Sequence, residues 1–424
     1  LEVRHMNVLV VGSGGREHAL CWGLAASPLV DTLYCAPGNA GIALDVHTRP
    51  LDVTNAAAIT AIAQDLAADL VVIGPEVPLA HGAADAVTAA GIACFGPLKS
   101  AAMIEASKSF AKDIMLAADV PTAQARTCHS IEEVASAMDE FGAPYVIKDD
   151  GLAAGKGVAV TTDRDAALEH AAACFTKPQA AVVVEEFLDG PEVSLFLLAD
   201  GRTVVPLAPA QDFKRVADDD HGPNTGGMGA YSPLPWAPAG LTEEVVARVA
   251  QPVIDYMHSI GNPFSGLLYA GLALTSQGLK VIEFNARFGD PETQVVLARL
   301  KTPLAGALYA AATGGLASLP PLEWSTDAAV TVVIASENYP EAPVTGDSIH
   351  GLADAASVEG VQVLHAGTKA VGDEIHTAGG RVLSVTAVGA DLTQARRRAY
   401  EAISKISIRG AHYRSDIALK AAQV

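Results

Sequence analysis

From Asn7 onward, short β-branched runs alternate with alanine-rich amphipathic stretches: Val8 to Val11, a helix through His18 to Ala26, Thr32 to Cys35, a helix from Ala56 to Ala67, then Leu70 to Ile73. That rhythm admits few folds. Parallel neighbours in a sheet need a crossover connection, and such connections are right-handed. Residues 6–106 are therefore expected to form one doubly wound parallel-sheet domain of the Rossmann-like kind.

The rhythm then changes. A helix from Lys99 to Ala118 leads to Pro121, and strands at Tyr145 to Lys148, Gly157 to Thr161 and Val182 to Glu185 enclose one helix near Arg164 to Phe175. Further strands at Val193 to Leu198, Val204 to Leu207, Gly266 to Leu274 and Lys280 to Phe284 flank a helix at Glu243 to Ile260. These read as a small and a larger α+β layer, covering about 122–190 and the rest of 107–318. The Gly/Pro-rich stretch from Thr313 to Pro321 reads as a hinge. Strands at Ala328 to Ile334, Gln362 to Leu364 and Arg381 to Ala387, with a helix near Leu392 to Ile403, make a compact β-rich domain over 325–424. Leu1 to His5, ahead of Met6, reads as an added remnant rather than a signal peptide, since it has no apolar core.

At 424 residues the chain exceeds what one core serves, so a multidomain α/β and α+β protein is expected. With 48 acidic against 28 basic residues the net charge is -20, which disfavours nucleic acid and anionic membrane as partners. Any phosphate must be bound locally. Cys21, Cys35, Cys94, Cys128 and Cys174 contain no CxxC pair and sit among small or apolar neighbours, as reduced thiols of a cytoplasmic protein would.

Five stretches carry chemistry. Gly12-Ser13-Gly14-Gly15-Arg16-Glu17-His18 lies between a strand and a helix, where backbone N–H groups suit a phosphate; a tight turn that only lets strand pack on helix is an equal reading. The second strand ends in Tyr34-Cys35-Ala36-Pro37 without an acid for ribose, which counts against an NAD(P)-dependent oxidoreductase. Lys148 to Gly157 is a small-residue loop between strands with a lysine on either side; a plain hairpin is the competing reading. Glu185-Glu186-Phe187-Leu188, with Glu192 beyond, ends an apolar strand with acids that serve either ribose or solvent.

The fourth stretch, Lys280 to Gln294, is the most informative. On a strand, Glu283, Asn285 and Arg287 project to one side while Ile282, Phe284 and Ala286 face the other. A carboxylate, an amide oxygen and a guanidinium so grouped suit Mg²⁺ and bridged phosphates, and Asp290 and Glu292 follow in a Gly-Asp-Pro turn. A surface pair between Glu283 and Arg287 is the alternative. The fifth, His221 to Pro233, is too glycine-rich for regular structure and is expected to be a mobile loop over a site, next to the charges of Gln211 to Arg215.

In this order and at these separations, the five stretches resemble the ATP-grasp ligases, over nearly the whole chain from Asn7. Gly12 to Leu20, Ala36 to Gly41, Gly151 to Gly157, Gly222 to Pro233, Glu283 to Gln294 and His365-Ala366-Gly367-Thr368 are the most specific matches. The resemblance implies ATP with Mg²⁺ or Mn²⁺ as cofactors, and ligation of glycine to 5-phosphoribosylamine through an acyl phosphate in purine biosynthesis; another carboxylate-amine or carboxylating ligase of the family is the alternative. It implies an ATP site of Lys108, Lys148, Gly151, Gly155, Lys156, Gly157, Glu185, Glu186, Phe187, Leu188 and Glu192. Glu283 and Asn285 are implied as metal ligands, with Arg287 and Asp290 catalytic. Substrate contacts are implied at Gly14, Gly15, Arg16, Asn39, Glu76, Asp212, Lys214, Thr225, Gly226, Gly227, Met228, Gly229, Pro291 and Thr293. A monomer or weak homodimer is expected. The family usually places an acid on the neighbouring strand, yet Leu267 to Leu274 contains none, and Ser336 to Pro340 receives no role.

Overall fold

A computed structural model describes residues 5–152 and 157–424. The expected parallel domain is present. Strands β1 (Met6–Gly12), β2 (Val30–Pro37), β3 (His47–Thr48), β4 (Leu70–Ile73) and β5 (Ala93–Phe95) pair in the order β3-β2-β1-β4-β5, all parallel. β4 is buried throughout, as a strand covered by helices on both faces must be. The order reverses at β1, so a crevice opens beyond the carboxyl ends of β1 and β4. Gly12 to Arg16 and Gly74 to Glu76 lie there.

The helix expected over Lys99 to Ala118 is two helices, Lys99–Ala106 and Lys108–Ala117. Ser107 is extended (φ -136°, ψ 117°) and caps the second helix by accepting from the Phe110 N–H at 3.1 Å. Asp150 accepts from the Ser109 N–H at 2.7 Å and its hydroxyl at 2.6 Å. The break therefore places Lys108 in the first turn of a new helix, facing the loop that follows Lys148.

Strands β6 (Ala125–Cys128), β7 (Tyr145–Asp149), β8 (Val158–Thr161) and β9 (Val182–Glu185) form an antiparallel sheet ordered β6-β9-β7-β8. Two helices back it, Ile131–Phe141 as well as the expected Arg164–Cys174. Val134, Met138, Ile147 and Val184 belong to a core separate from the rest of the molecule. The larger layer is the antiparallel sheet β11-β10-β16-β17, built from β10 (Glu192–Asp200), β11 (Val204–Pro206), β16 (Ser265–Thr275) and β17 (Gly278–Asn285).

The last sheet, β12-β15-β18-β22-β19, departs from the expected division. It joins β18 (Ala328–Ala335), β19 (Val361–His365) and β22 (Arg381–Gly389) to β12 (Gln211–Asp212) and β15 (Gly229–Ser232) from the preceding segment. The hairpins β13–β14 (Arg215–Ala217, His221–Asn224) and β20–β21 (Thr368–Val371, Glu374–Thr377) lie outside it. Much of the stretch expected to be an irregular mobile loop is thus strand. The cause is packing: a Cβ on Gly229 would lie 2.7 Å from both the Thr331 carbonyl and the Ile417 side chain, so only glycine lets β15 approach β18 this closely.

Candidate active site

Three sheets converge on one cleft. β7 and β9 carry Lys148 and Glu185 side by side: the Lys148 ammonium lies 2.7 Å from one carboxylate oxygen of Glu185, and Lys112 lies 3.1 Å from the other. Lys148 and Glu185 are buried and Lys112 is partly buried, and Lys148 also donates to the Ile282 carbonyl at 3.2 Å, which ties the small sheet to β17. Burial pushes the Lys112 ammonium below its ordinary range against the attraction of Glu185, with Lys148 adding to the fall. Lys108 donates to the Gly151 carbonyl at 3.2 Å, and the Gly157 carbonyl accepts from the Asp149 N–H at 2.7 Å. Gly155 and Lys156 lie outside the described residues. Glu186 pairs with Lys280 at 2.9 Å, the Phe187 ring is exposed, and Glu192 meets Lys214 at 2.5 Å.

β17 presents Glu283 and Asn285. Burial raises the Glu283 carboxyl, but Lys214, Lys148, Lys108 and Arg287 outweigh it and hold the group below the usual carboxylate range. Among the described residues no group of three or more acids, histidines or cysteines gathers around one point. An ionised carboxylate beside an amide oxygen fits a hard divalent cation whose other ligands come from phosphates. Nearby, burial first, then Glu292 and Glu192 against the pull of Lys214, push Asp212 up to about 7. The Lys214 charge prevails over burial because Asp212, Glu192 and Glu283 surround it.

Arg287 reaches toward the parallel domain, 2.9 Å from Glu105 and 3.3 Å from Glu76, and donates to Asn285 at 3.3 Å. Glu105 also accepts the Ala286 N–H at 2.7 Å. The Asp290 carboxylate accepts from the Arg16 N–H at 2.9 Å and from Gln294 at 3.1 Å, and Glu17 accepts from the Gly14 N–H at 2.6 Å. Two backbone donors at this glycine turn are thus held by carboxylates of the protein itself. Arg16 is buried and donates to Glu17 and the Phe288 carbonyl. Asn39 donates to the carbonyls of Ser13 and His365 at 2.9 and 2.8 Å, bracing the turn against β19.

Thr225 accepts from the Gly227 N–H at 3.0 Å and donates to the Lys214 carbonyl at 2.8 Å. Gly227 adopts φ +118°, and a Cβ there would lie 2.4 Å from Pro291. The Met228 side chain is fully buried, Gly229 is part of β15, and the Thr293 hydroxyl is spent on the Gly289 carbonyl at 2.5 Å. These three stand behind the cleft surface.

Sequence reasoning missed Lys112, Glu105, Arg381, Tyr269 and Tyr339. Lys112 had a signal, being four residues after Lys108 on one helix and so near the same face. Tyr269, on the strand that lacks an acid, donates to Glu292 at 2.5 Å, so the acid beside that strand comes from the following helix. Glu105, Arg381 and Tyr339 carried no pattern of their own.

A doubly wound domain, a small antiparallel sheet and a larger one closing on a lysine- and carboxylate-lined cleft define an ATP-grasp enzyme, a class that uses ATP with a divalent metal. Family descriptions match three successive segments: the phosphoribosylglycinamide synthetase N domain over residues 6–105, its ATP-grasp (A) domain over 106–293 and its C domain over 329–420. The chain belongs to the phosphoribosylglycinamide synthetase family. It is 63% identical to the phosphoribosylamine–glycine ligase of Streptomyces coelicolor over 98% of this chain and 100% of that one. The Mycobacterium tuberculosis enzyme of the same name is 55% identical, over 99% of each. The crystal structure of phosphoribosylamine–glycine ligase from Thermotoga maritima superposes with a TM-score of 0.84 at 32% identity, over 97% of this chain and 100% of that one. N5-carboxyaminoimidazole ribonucleotide synthetase from the same organism, at 17% identity and TM-score 0.61 over 95% and 99% of the chains, shares the fold.

Proposed function

We propose that the protein joins glycine to 5-phosphoribosylamine at the expense of ATP, giving glycinamide ribonucleotide, ADP and phosphate through a glycyl phosphate, within purine biosynthesis. The glycine carboxylate attacks the γ-phosphorus and ADP leaves; the amine of phosphoribosylamine then attacks the acyl carbon and phosphate leaves. No protein nucleophile is required, so catalysis is positioning and charge neutralisation. The observation that carries the reading is the placing of Glu283 and Asn285 on β17 at the cleft, with Lys108, Lys148, Lys214 and Arg287 around them.

In this reading Glu283 and Asn285 hold Mg²⁺ or Mn²⁺, which when bound neutralises phosphate charge. Lys108 and Lys148 hold the ATP phosphates beside Gly151 and Gly157, and Glu185 to Leu188 with Glu192 line the nucleoside. Arg287 steadies the transferring phosphoryl group. Asp290 organises the meeting of the glycine turn with Arg381. Asp212, Lys214 and Thr225 to Gly227 receive glycine, with Asp212 and Lys214 offering opposite charges to its ammonium and carboxylate. Gly14 to Arg16, Asn39 and Glu76 border the phosphoribosylamine side. Residues 6–106, 107–318 and 325–424 are the three segments of this reading, with Gln211–Asp212 and Gly229–Ser232 of the second joining the sheet of the third, and the protein acts in the cytoplasm. No helix among the described residues is long and apolar enough to cross a membrane.

ADP release is the test. Release with Mg²⁺-ATP is expected only when glycine and phosphoribosylamine are both present, and EDTA abolishes it. Turnover indifferent to glycine would overturn the substrate assignment.

A further inference from the structure

The cleft is completed from the C-terminal sheet. Arg381, the first residue of β22, places one guanidinium nitrogen, Nη1, 2.7 Å from the Asp290 carbonyl, 2.8 Å from the Gly226 carbonyl and 3.3 Å from the Gly227 carbonyl. The same nitrogen is 3.5 Å from the Asp290 carboxylate. A Cβ on Gly226 would sit 2.9 Å from the guanidinium carbon, so the close approach requires glycine. Tyr339 holds the other side of the strip, its hydroxyl accepting from the Gly226 N–H at 3.1 Å. The Tyr339 ring in turn lies where a Cβ on Gly380 would come within 2.4 Å. Both contacts come from the domain that supplies none of the ATP-facing residues.

We propose that Arg381 is a positioning residue: it pins the Gly226–Gly227 strip to the Asp290 turn, and so sets the shape of the pocket that receives the carboxylic acid substrate. Hydrogen bonds from a charged donor to carbonyls are strong and geometrically demanding. One guanidinium thus spans two chain segments, the Gly226–Gly227 strip and the Asp290 turn. All of these contacts use one nitrogen, so a lysine in its place keeps the charge and a single multi-donor nitrogen, but on a flexible stem rather than a rigid planar group that fixes where that nitrogen lies. The kinetic part of this inference rests on the ligase reading above; the structural part does not.

The experiment compares Arg381→Met and Arg381→Lys with the parent by hydrogen exchange over residues 221–233 and by steady-state kinetics with glycine varied. In the methionine variant, amides of the strip are expected to exchange at least about tenfold faster, and KM for glycine to rise at least about tenfold, while KM for ATP changes less than about twofold. The lysine variant is expected to fall between, and added guanidinium ion to restore part of the glycine affinity. Unchanged exchange would refute the pin whatever the enzyme's substrate. Faster exchange with an unaltered KM for glycine, or with KM for ATP rising in parallel, would refute the positioning role. Loss of glycine-dependent ADP release in the parent itself would instead strike the ligase reading and leave the exchange result standing.

Discussion

Glu185→Gln is the perturbation with the clearest predicted size. The carboxylate is 4% exposed and is shared by Lys148 at 2.7 Å and Lys112 at 3.1 Å. With an effective dielectric near 20, these contacts are worth about 6 and about 5 kcal/mol of Coulomb attraction before desolvation is subtracted. Desolvation offsets most of this. Removing the carboxylate of such an arrangement costs roughly 3–5 kcal/mol, because the two ammonium groups keep only neutral acceptors, Ile282, Thr122 and Ala123, and no opposite charge. Urea denaturation followed by circular dichroism should show that loss, and the backbone amides of β7 and β9 should exchange faster.

The pH dependence has a definite sign. Burial already depresses Lys112, and loss of Glu185 depresses it further. A cation whose folded-state pKa is lowered loses stability as pH falls, so the deficit of the variant should shrink as pH rises from about 7 to about 10. Replacing Glu185 and Lys112 together by methionine should recover part of the stability. A Glu185→Gln protein within about 1 kcal/mol of the parent, or a deficit independent of pH, would refute the view that this carboxylate neutralises two buried cations.

Two further outcomes are expected. Glu283→Ala should abolish ADP release while leaving the melting temperature within a few degrees, because the side chain lies at the cleft; full activity would remove it from the metal site. His365 is buried, beside His18 and with Asp45 near, and burial followed by the His18 charge pushes it down to about 4 from 6.5. Its neutral form stabilises the fold above pH 6.5, and that contribution, at most about 3 kcal/mol, is lost as pH falls toward 4. The stability profile of His365→Asn should be flatter over that window, and an equally steep profile would assign the slope elsewhere.

What the sequence determined by itself is local. The β-branched runs and alanine-rich stretches specify a parallel sheet with right-handed crossovers because period and connection length leave few alternatives, while the strand order β3-β2-β1-β4-β5 is read only from the fold. The two-residue period of β17 places Glu283 and Asn285 on one side without reference to anything else in the chain, while Arg287 lies in the bend just beyond the strand's end. The break at Ser107 was legible in principle, since a capping serine precedes Lys108. Only the tertiary structure decided what these groups face. Glu105 meets Arg287 across 182 positions of chain, and Arg381 meets Gly226 across 155, so no local pattern announces either. The glycines of 226–229 read as a mobile loop because small residues lack intrinsic order. In the fold they are the only residues small enough for Arg381, Pro291, Thr331 and Ile417 to pack against, and the same feature that suggests freedom in the sequence becomes the condition for close contact.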